Sequence, residues 1–209
     1  MKVFIFSMFA LLISFASGYL KKDNVFTDPR DKHKYKIVQS DGNYWFAENL
    51  RYKPPGDSLT HAFNSSEENL QKHGLLYSLS SAKLACPPGW RLPSKQDWNR
   101  LMKQVPGSLN TRGGRIVEEK KVSDSTFLNI SLAGFRTPEG KDVAFNRMTI
   151  FWTSSDTVST NNPDPRFNGN RFIGYHFYKA TTDSLHAEPT YANSAAYGYY
   201  CRCIKNKRN

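Results

Sequence analysis

Five ring-bearing side chains near the C-terminal end of the sequence carry its strongest indication of chemistry. Tyr175, His176, Tyr178, Tyr191 and Tyr197 stand among several Asn residues. Aromatic rings with amide and hydroxyl neighbours are typical of surfaces that bind sugars or protein partners, as in antibody combining sites. The sequence therefore predicts a ligand-binding surface at these five residues, although ordinary loops can have the same composition.

No set of residues in the sequence fits a known catalytic machinery. The 5 histidines stand in unrelated contexts, so no Ser-His-Asp set can be assembled. Glu67-Glu68 and Glu118-Glu119 are adjacent pairs, whereas the two carboxyl groups of a glycosidase face each other across about 5–9 Å. A Gly-rich phosphate loop is also absent. We therefore expect a protein that is not an enzyme, with no catalytic residue and no cofactor.

The cysteines favour a disulfide over a metal site. There are 3, at Cys86, Cys201 and Cys203. Residues two apart on a strand face the same way, so either late cysteine could pair with Cys86. Such a bridge would close a loop of over 100 residues and contribute about 4–5 kcal/mol in the chain-entropy model. Structural zinc usually requires four ligands, and no His completes a set here, so no metal is expected.

Local patterns place these residues on short elements. The runs 34–38 and 43–47 flank the turn signal Asp41-Gly42 and predict a β-hairpin. A helix is predicted at 78–85, and Ser94 with Asp97 predicts the cap of a second helix. Ser65 and Glu68 resemble a capping box and predict one or two further helical turns. Candidate strands follow at 126–132, 149–153, 172–178 and 199–204, separated by polar loops at 108–124, 154–171 and 179–196.

The N-terminus has the layout of an export signal. Met1-Lys2 is positive, residues 3–15 are almost wholly apolar, and residues 16–18 are small. The apolar run is shorter than the roughly 20 residues of a membrane span, although an uncleaved anchor is the competing interpretation. No lipid-anchor Cys follows, so we expect a secreted or loosely surface-associated protein without a stable membrane anchor. The predicted segments are a signal peptide (1–18), a lead-in (19–25), one domain (26–206) and a basic tail (207–209).

The net charge of the chain indicates which classes of partner it could bind. The chain carries +11 at pH 7, and removal of residues 1–18 takes away Lys2 and no acid, which leaves +10. A basic surface attracts anionic polymers, which are a further candidate partner. The positive residues are scattered and form no basic helix or Arg-rich arm, so nucleic acid is not expected as a partner.

A series of motifs runs through the chain in a recognisable order. They are FTDPRD at 26–31, KYKIV at 34–38, WFAENLRY at 45–52, GLLY at 74–77, ACPPGWRLPS at 85–94, DW at 97–98, AGFR at 133–136, FWTSS at 151–155 and RCIKN at 202–206. This series resembles the Fibrobacter succinogenes major paralogous domain, which occurs in secreted and surface proteins of that and related bacteria. The resemblance extends over about 26–206.

The resemblance implies a fold and a disulfide. The fold is α+β and C-type-lectin-like, with two short helices, small antiparallel sheets, long loops and neighbouring termini. It is akin to formylglycine-generating enzymes and to receptor proteins of diversity-generating elements. The family places its late cysteine in the Arg-Cys-Ile-Lys motif, which selects Cys203 as the partner of Cys86 and leaves Cys201 over.

The motif residues also have a structural interpretation. Trp45, Trp90, Trp98 and Trp152 are expected in the core, because large rings bury the apolar area that a loop-rich fold needs. Glu48 and Asn49 are expected to hydrogen-bond loop backbone beside the hairpin.

These inferences lead to one main functional expectation and two alternatives. We expect a secreted, non-catalytic, lectin-like module that binds glycan or protein at a cell or substrate surface. A formylglycine-generating-enzyme-like oxidoreductase would need two reactive thiols, and a structural surface or matrix component would self-associate. Calcium is not expected, because Glu188-Pro189-Thr190 only partly matches the lectin calcium motif and calcium takes six or more oxygen ligands.

Overall fold

The structure, a computed structural model, describes residues 24–104, 111–112, 115–116, 128–155, 157–160, 169–179 and 185–206. The predicted signal peptide, most of the lead-in, the pair Glu118-Glu119 and the basic tail lie outside these residues. The elements are β1 (Val25–Thr27), β2 (Lys34–Ser40), β3 (Asn43–Phe46), α1 (Glu67–His73), β4 (Leu76–Tyr77), α2 (Leu79–Ala85), α3 (Lys95–Gln104), β5 (Thr111–Arg112), β6 (Arg115–Ile116), β7 (Ala133–Arg136), β8 (Asp142–Phe145), β9 (Met148–Trp152), β10 (Val158–Thr160), β11 (Gly169–Lys179), β12 (Leu185–Ala192), β13 (Tyr199–Tyr200) and β14 (Ile204–Asn206).

A four-stranded sheet joins the two ends of the domain. Its order is β1-β2-β3-β14, and every pair in it is antiparallel. The predicted hairpin is confirmed, since β2 and β3 meet at Asp41 and Gly42, whose φ angles of 50° and 69° fit a tight hairpin turn. At the other edge Ile204 of β14 pairs with Trp45 of β3.

The helices begin at side-chain caps. Ser78 caps α2, and Ser94 and Asp97 cap α3 reciprocally, because Ser94 Oγ accepts from the Asp97 N–H at 3.1 Å and the Asp97 carboxylate accepts from the Ser94 N–H at 2.8 Å. The prediction at Ser65 is wrong by one residue, since Ser66 caps α1 by accepting from Asn69 N. The described residues therefore contain three α-helices and not two.

The second sheet is larger and more mixed than predicted. It has eight strands, in which β8-β7-β9-β11-β12 lie side by side, β10 also pairs with β11, and β13 joins β9 to β4. The pairs β7–β9 and β9–β13 are parallel, so the expected small antiparallel sheets are only part of the fold. With its short helices the architecture is α+β.

Several predicted loops and strands are different in the structure. The expected loops at 154–171 and 179–196 contain β10, the start of β11 and all of β12, and the described part of 108–124 contains the β5–β6 hairpin. Residues 128–132 are not a strand. The expected strand at 199–204 is two strands, because β13 belongs to the large sheet and β14 to the small one, with Cys201–Cys203 crossing between them.

The core is aromatic, as the motifs predicted. Trp45, Trp98 and Trp152 are completely buried, whereas Trp90 is half-buried and packs its ring 4.5 Å from that of Phe46. Burial of such large rings supplies the apolar area that holds the two sheets and the helices together. No helix within the described ranges is long and apolar enough to cross a membrane.

Candidate functional site

The long strands β11 and β12 position most of the predicted ligand-binding residues. They pair over eight residues, from Phe172 opposite Ala192 to Lys179 opposite Leu185. Side chains alternate between the two faces of a strand, so neighbouring residues on β11 have opposite environments. This alternation places the four predicted residues on these strands on two different faces.

Tyr175 lies in the core and not at the surface, so its predicted ligand role is corrected. Its side chain is 2% exposed, and its ring stacks on Trp98 of α3 at a centroid distance of 5.3 Å. Phe177, the next residue on the same face of β11, is equally buried and packs edge-on against Trp98. Burial raises the pKa of Tyr175 well above its ordinary value. Tyr175 thus anchors the two-stranded ribbon formed by β11 and β12 on α3.

His176 and Tyr178 lie together on the opposite face. Their rings meet edge to face at 4.7 Å. His176 Nε2 lies 3.2 Å from Oε1 of Glu188, and the Tyr178 hydroxyl donates to the same oxygen at 3.0 Å. His186, opposite Tyr178 in the ladder, stacks on it at 5.2 Å. The structure thus forms a cluster of two histidines, a tyrosine and a carboxylate, which we call the ribbon cluster (His176, Tyr178, His186 and Glu188).

The electrostatics of the ribbon cluster centre on one carboxylate. Burial lowers the pKa of His176, and the hydrogen bond between its ring and the Glu188 carboxylate opposes that shift. Burial and then Glu188 raise the pKa of Tyr178. At neutral pH the imidazole of His176 is therefore uncharged, and it donates from Nε2 when that atom carries the proton. Oε2 of Glu188 has no hydrogen-bond partner among the described residues, and this side chain is 32% exposed.

The other two predicted residues lie elsewhere. Tyr191 is 52% exposed, but it pairs with Ile173 and so belongs to the opposite face of the ribbon from His176. Tyr197 is half-buried and packs on Tyr199 at 5.4 Å and on Phe135 at 6.2 Å. The structure therefore brings together two of the five predicted residues.

Sequence reasoning missed Glu188 and His186. The signal was present, because His176 and Tyr178 are two apart and so are His186 and Glu188, the spacing of residues on one face of a strand. Interpreting 179–196 as a loop removed the strand that makes this spacing meaningful.

The described residues favour neither a metal site nor a reactive pair of thiols. No three His, Cys, Asp or Glu groups there are placed to hold a metal ion, and Glu188, the acid of the partial calcium motif, is engaged by His176 and Tyr178. Cys86 and Cys203 form a disulfide with their Cα atoms 5.8 Å apart, as the resemblance implied. Cys201 is a buried free thiol whose pKa is raised by burial.

The architecture defines a class: an α+β domain whose ends are joined by a small sheet and by one long-range disulfide. The model of the Fibrobacter succinogenes major domain matches residues 38–205. The chain therefore belongs to the Fibrobacter succinogenes major domain family. No curated protein and no solved structure matches it significantly.

Proposed function

We propose that this protein is a secreted, non-catalytic binding module of C-type-lectin-like type, which engages glycan or protein at a cell or substrate surface. The ribbon cluster is the binding site of this proposal. One observation carries it: Oε1 of the partly exposed Glu188 carboxylate is held by the Tyr178 hydroxyl and by Nε2 of His176, while Oε2 makes no hydrogen bond to a described residue. A fixed acceptor beside aromatic rings suits a hydroxyl or amide of a ligand.

The lectin-like part of the proposal draws on the topology. The first and last strands of the domain share one sheet, and three short helices accompany a second sheet with long strands. The shared sheet supports the neighbouring termini that the family resemblance implies, whereas the third helix and the large mixed sheet differ from it.

Secretion draws support from the disulfide, because such bonds persist in oxidising compartments. The exported protein should begin at Tyr19. Its intact mass would then equal that of residues 19–209, and retention of residues 1–18 would argue for an anchored form.

The oxidoreductase alternative is disfavoured by the cysteines. That chemistry needs two reactive thiols, yet Cys203 is bonded to Cys86 and Cys201 is buried. Nothing among the described residues favours the matrix alternative over binding.

The test combines a glycan array with pull-downs of surface proteins, using residues 19–209. Tyr178→Ala and Glu188→Gln should each weaken binding of the retained ligand about tenfold or more, since each removes part of the ribbon cluster. Tyr191→Ala is the matched control, because it removes an exposed tyrosine from the other face of the same ribbon. A blank array together with blank pull-downs would argue against the proposal, as would equal binding by Tyr178→Ala and the unmodified protein.

A further inference from the structure

A concave site lies far from the ribbon cluster in the topology of the large sheet. It is a cavity of about 330 Å³ between α1 and the end of β8. Strands β7, β9 and β11 separate β8 from β12. The volume is at the lower end of the range for small-molecule sites, about 300–1,000 Å³. The cavity is lined by Phe63, His73 and Phe145 and by the polar residues Asn64, Glu68, Asn69 and Lys72.

The wall of the cavity is held in place by its own contacts. The ring of Phe145 lies 5.2 Å from Phe63 and 5.5 Å, edge to face, from His73. The Asn64 N–H donates to Asp142 at 2.6 Å, and Asp142 is bound by both its oxygens to Arg136. The site is therefore formed before any ligand arrives, which lowers the entropic cost of binding.

Phe145 is displayed at some cost to the chain. Its side chain is 38% exposed. The residues on either side, Ala144 and Asn146, have φ angles of 62° and 60°, a conformation unfavourable for alanine in particular. Strained backbone on both sides of a partly exposed aromatic ring often marks a functional site.

The polar rim is electrically balanced and open. Asn64, Glu68 and Lys72 are exposed, and within the described ranges their side chains make no hydrogen bond or ion pair. Burial lowers the pKa of His73, so this imidazole is neutral at pH 7. One carboxylate and one ammonium leave the rim with no net charge, while its amide, carboxylate and ammonium groups supply both donors and acceptors.

We propose that this cavity binds one neutral sugar unit of a glycan. The apolar C–H face of a pyranose would lie on the Phe145 ring, and its hydroxyls would bond the rim at Asn64, Glu68 and Lys72. The rim carries no net charge and so favours neither an anion nor a cation, which leaves hydrogen bonding to a neutral ligand as its main polar contribution. The inference does not depend on the ribbon cluster, and the two sites would bind independently.

The experiment is an NMR titration of isotope-labelled residues 19–209. The probes are cellotetraose, xylotetraose and mannotetraose, with tetragalacturonate as the anionic comparison. At least one neutral probe should shift the amides of 63–73 and 142–147 saturably, with a dissociation constant of about 1 mM for a single occupied unit.

The variants locate the site. Phe145→Ala should weaken binding about tenfold or more, whereas Phe145→Trp should retain it because it keeps an aromatic platform. Tyr191→Ala, a control at an exposed ring outside the cavity, should bind as the unmodified protein does. Glu188→Gln should also leave this binding unchanged, so failure here and failure at the ribbon cluster are distinguishable. The proposal is overturned if no neutral probe shifts these amides up to its solubility limit, if only tetragalacturonate binds, or if Phe145→Ala binds normally.

Discussion

Arg202 explains at the residue scale why the motif WFAENLRY at 45–52 and the last motif, RCIKN at 202–206, belong together. It is 1% exposed, and its guanidinium donates to Asn49 Oδ1 at 2.7 Å and to the carbonyl oxygens of Phe46, Leu128 and Asn129. Asn49 in turn donates to the carbonyl of His73 at 2.8 Å, so its backbone partner is the last residue of α1 and not the loop that was predicted. A guanidinium group is planar and has five N–H donors, so it can satisfy several fixed acceptors at once.

Replacing Arg202 with methionine should destabilise the fold severely. The apolar chain fills a similar volume but leaves four oxygens without their donor, three of them in buried hydrogen bonds, which costs at least about 3 kcal/mol. Denaturant unfolding measures this loss. Arg147→Met, at an exposed arginine, should change stability by no more than about 0.5 kcal/mol. A loss below about 1 kcal/mol for Arg202→Met would mean that water or relaxation satisfies these oxygens.

Residue types alone could not separate Tyr175 from Tyr178. Both are tyrosines in one aromatic run, and only the face of β11 that each occupies decides whether it contacts Trp98 or Glu188. The core tryptophans were predictable because their size leaves little alternative to burial. Arg202 was not, because a charged residue is rarely buried without a carboxylate partner.

At the scale of elements, local signals decided what could be predicted. The β2–β3 hairpin, α2 and α3 have turn or capping residues at their ends, and each of them was predicted. β12 was missed because Pro189 and its polar neighbours favour a loop. Pro is tolerated there because β12 pairs only with β11 among the described strands, and an edge strand can lack one N–H.

A substitution at Gly134 tests how closely β7 packs against the turn at Phe63. A Cβ at this position would come within 2.5 Å of both the Phe63 ring and the Val143 carbonyl oxygen, and φ is +76°. Gly134→Ala should therefore lower the free energy of unfolding by more than about 2 kcal/mol, through overpacking added to backbone strain.

The control for Gly134 is Gly42, in the β2–β3 turn. Its φ is +69°, and a Cβ there would meet no atom within 4 Å. Gly42→Ala should cost only the backbone penalty, about 1 kcal/mol. Thermal or denaturant unfolding of both variants compares the two effects, and equal losses would contradict the close approach at Gly134.

For the whole molecule, one covalent bond and one strand pair close the chain on itself. The Cys86–Cys203 bridge spans 117 residues, and Cys203 stands directly before β14, which pairs with β3. In the chain-entropy model a bridge of this span contributes about 4–5 kcal/mol. The crossing at Cys201–Cys203 also links the two sheets, a feature that a single predicted strand could not reveal.

Thiol titration checks this account of the cysteines. The folded protein should show no rapidly reacting thiol, because Cys201 is buried and its pKa is raised. Denaturation without reductant should reveal one thiol, and denaturation with reductant should reveal all 3. A fast-reacting thiol in the folded protein would contradict the burial of Cys201, and two thiols or more without reductant would contradict the bridge.

The central claim is that the chain binds a ligand through the face of β11 and β12 that carries the ribbon cluster. The most direct measurement is a map of amide chemical shifts on adding the ligand retained in the array or pull-down. We predict that the shifted amides cluster at 174–178 and 186–190, around Glu188, and that Glu188→Gln raises the ligand concentration needed for these shifts about tenfold or more. Saturable binding that leaves these amides unshifted would contradict the claim.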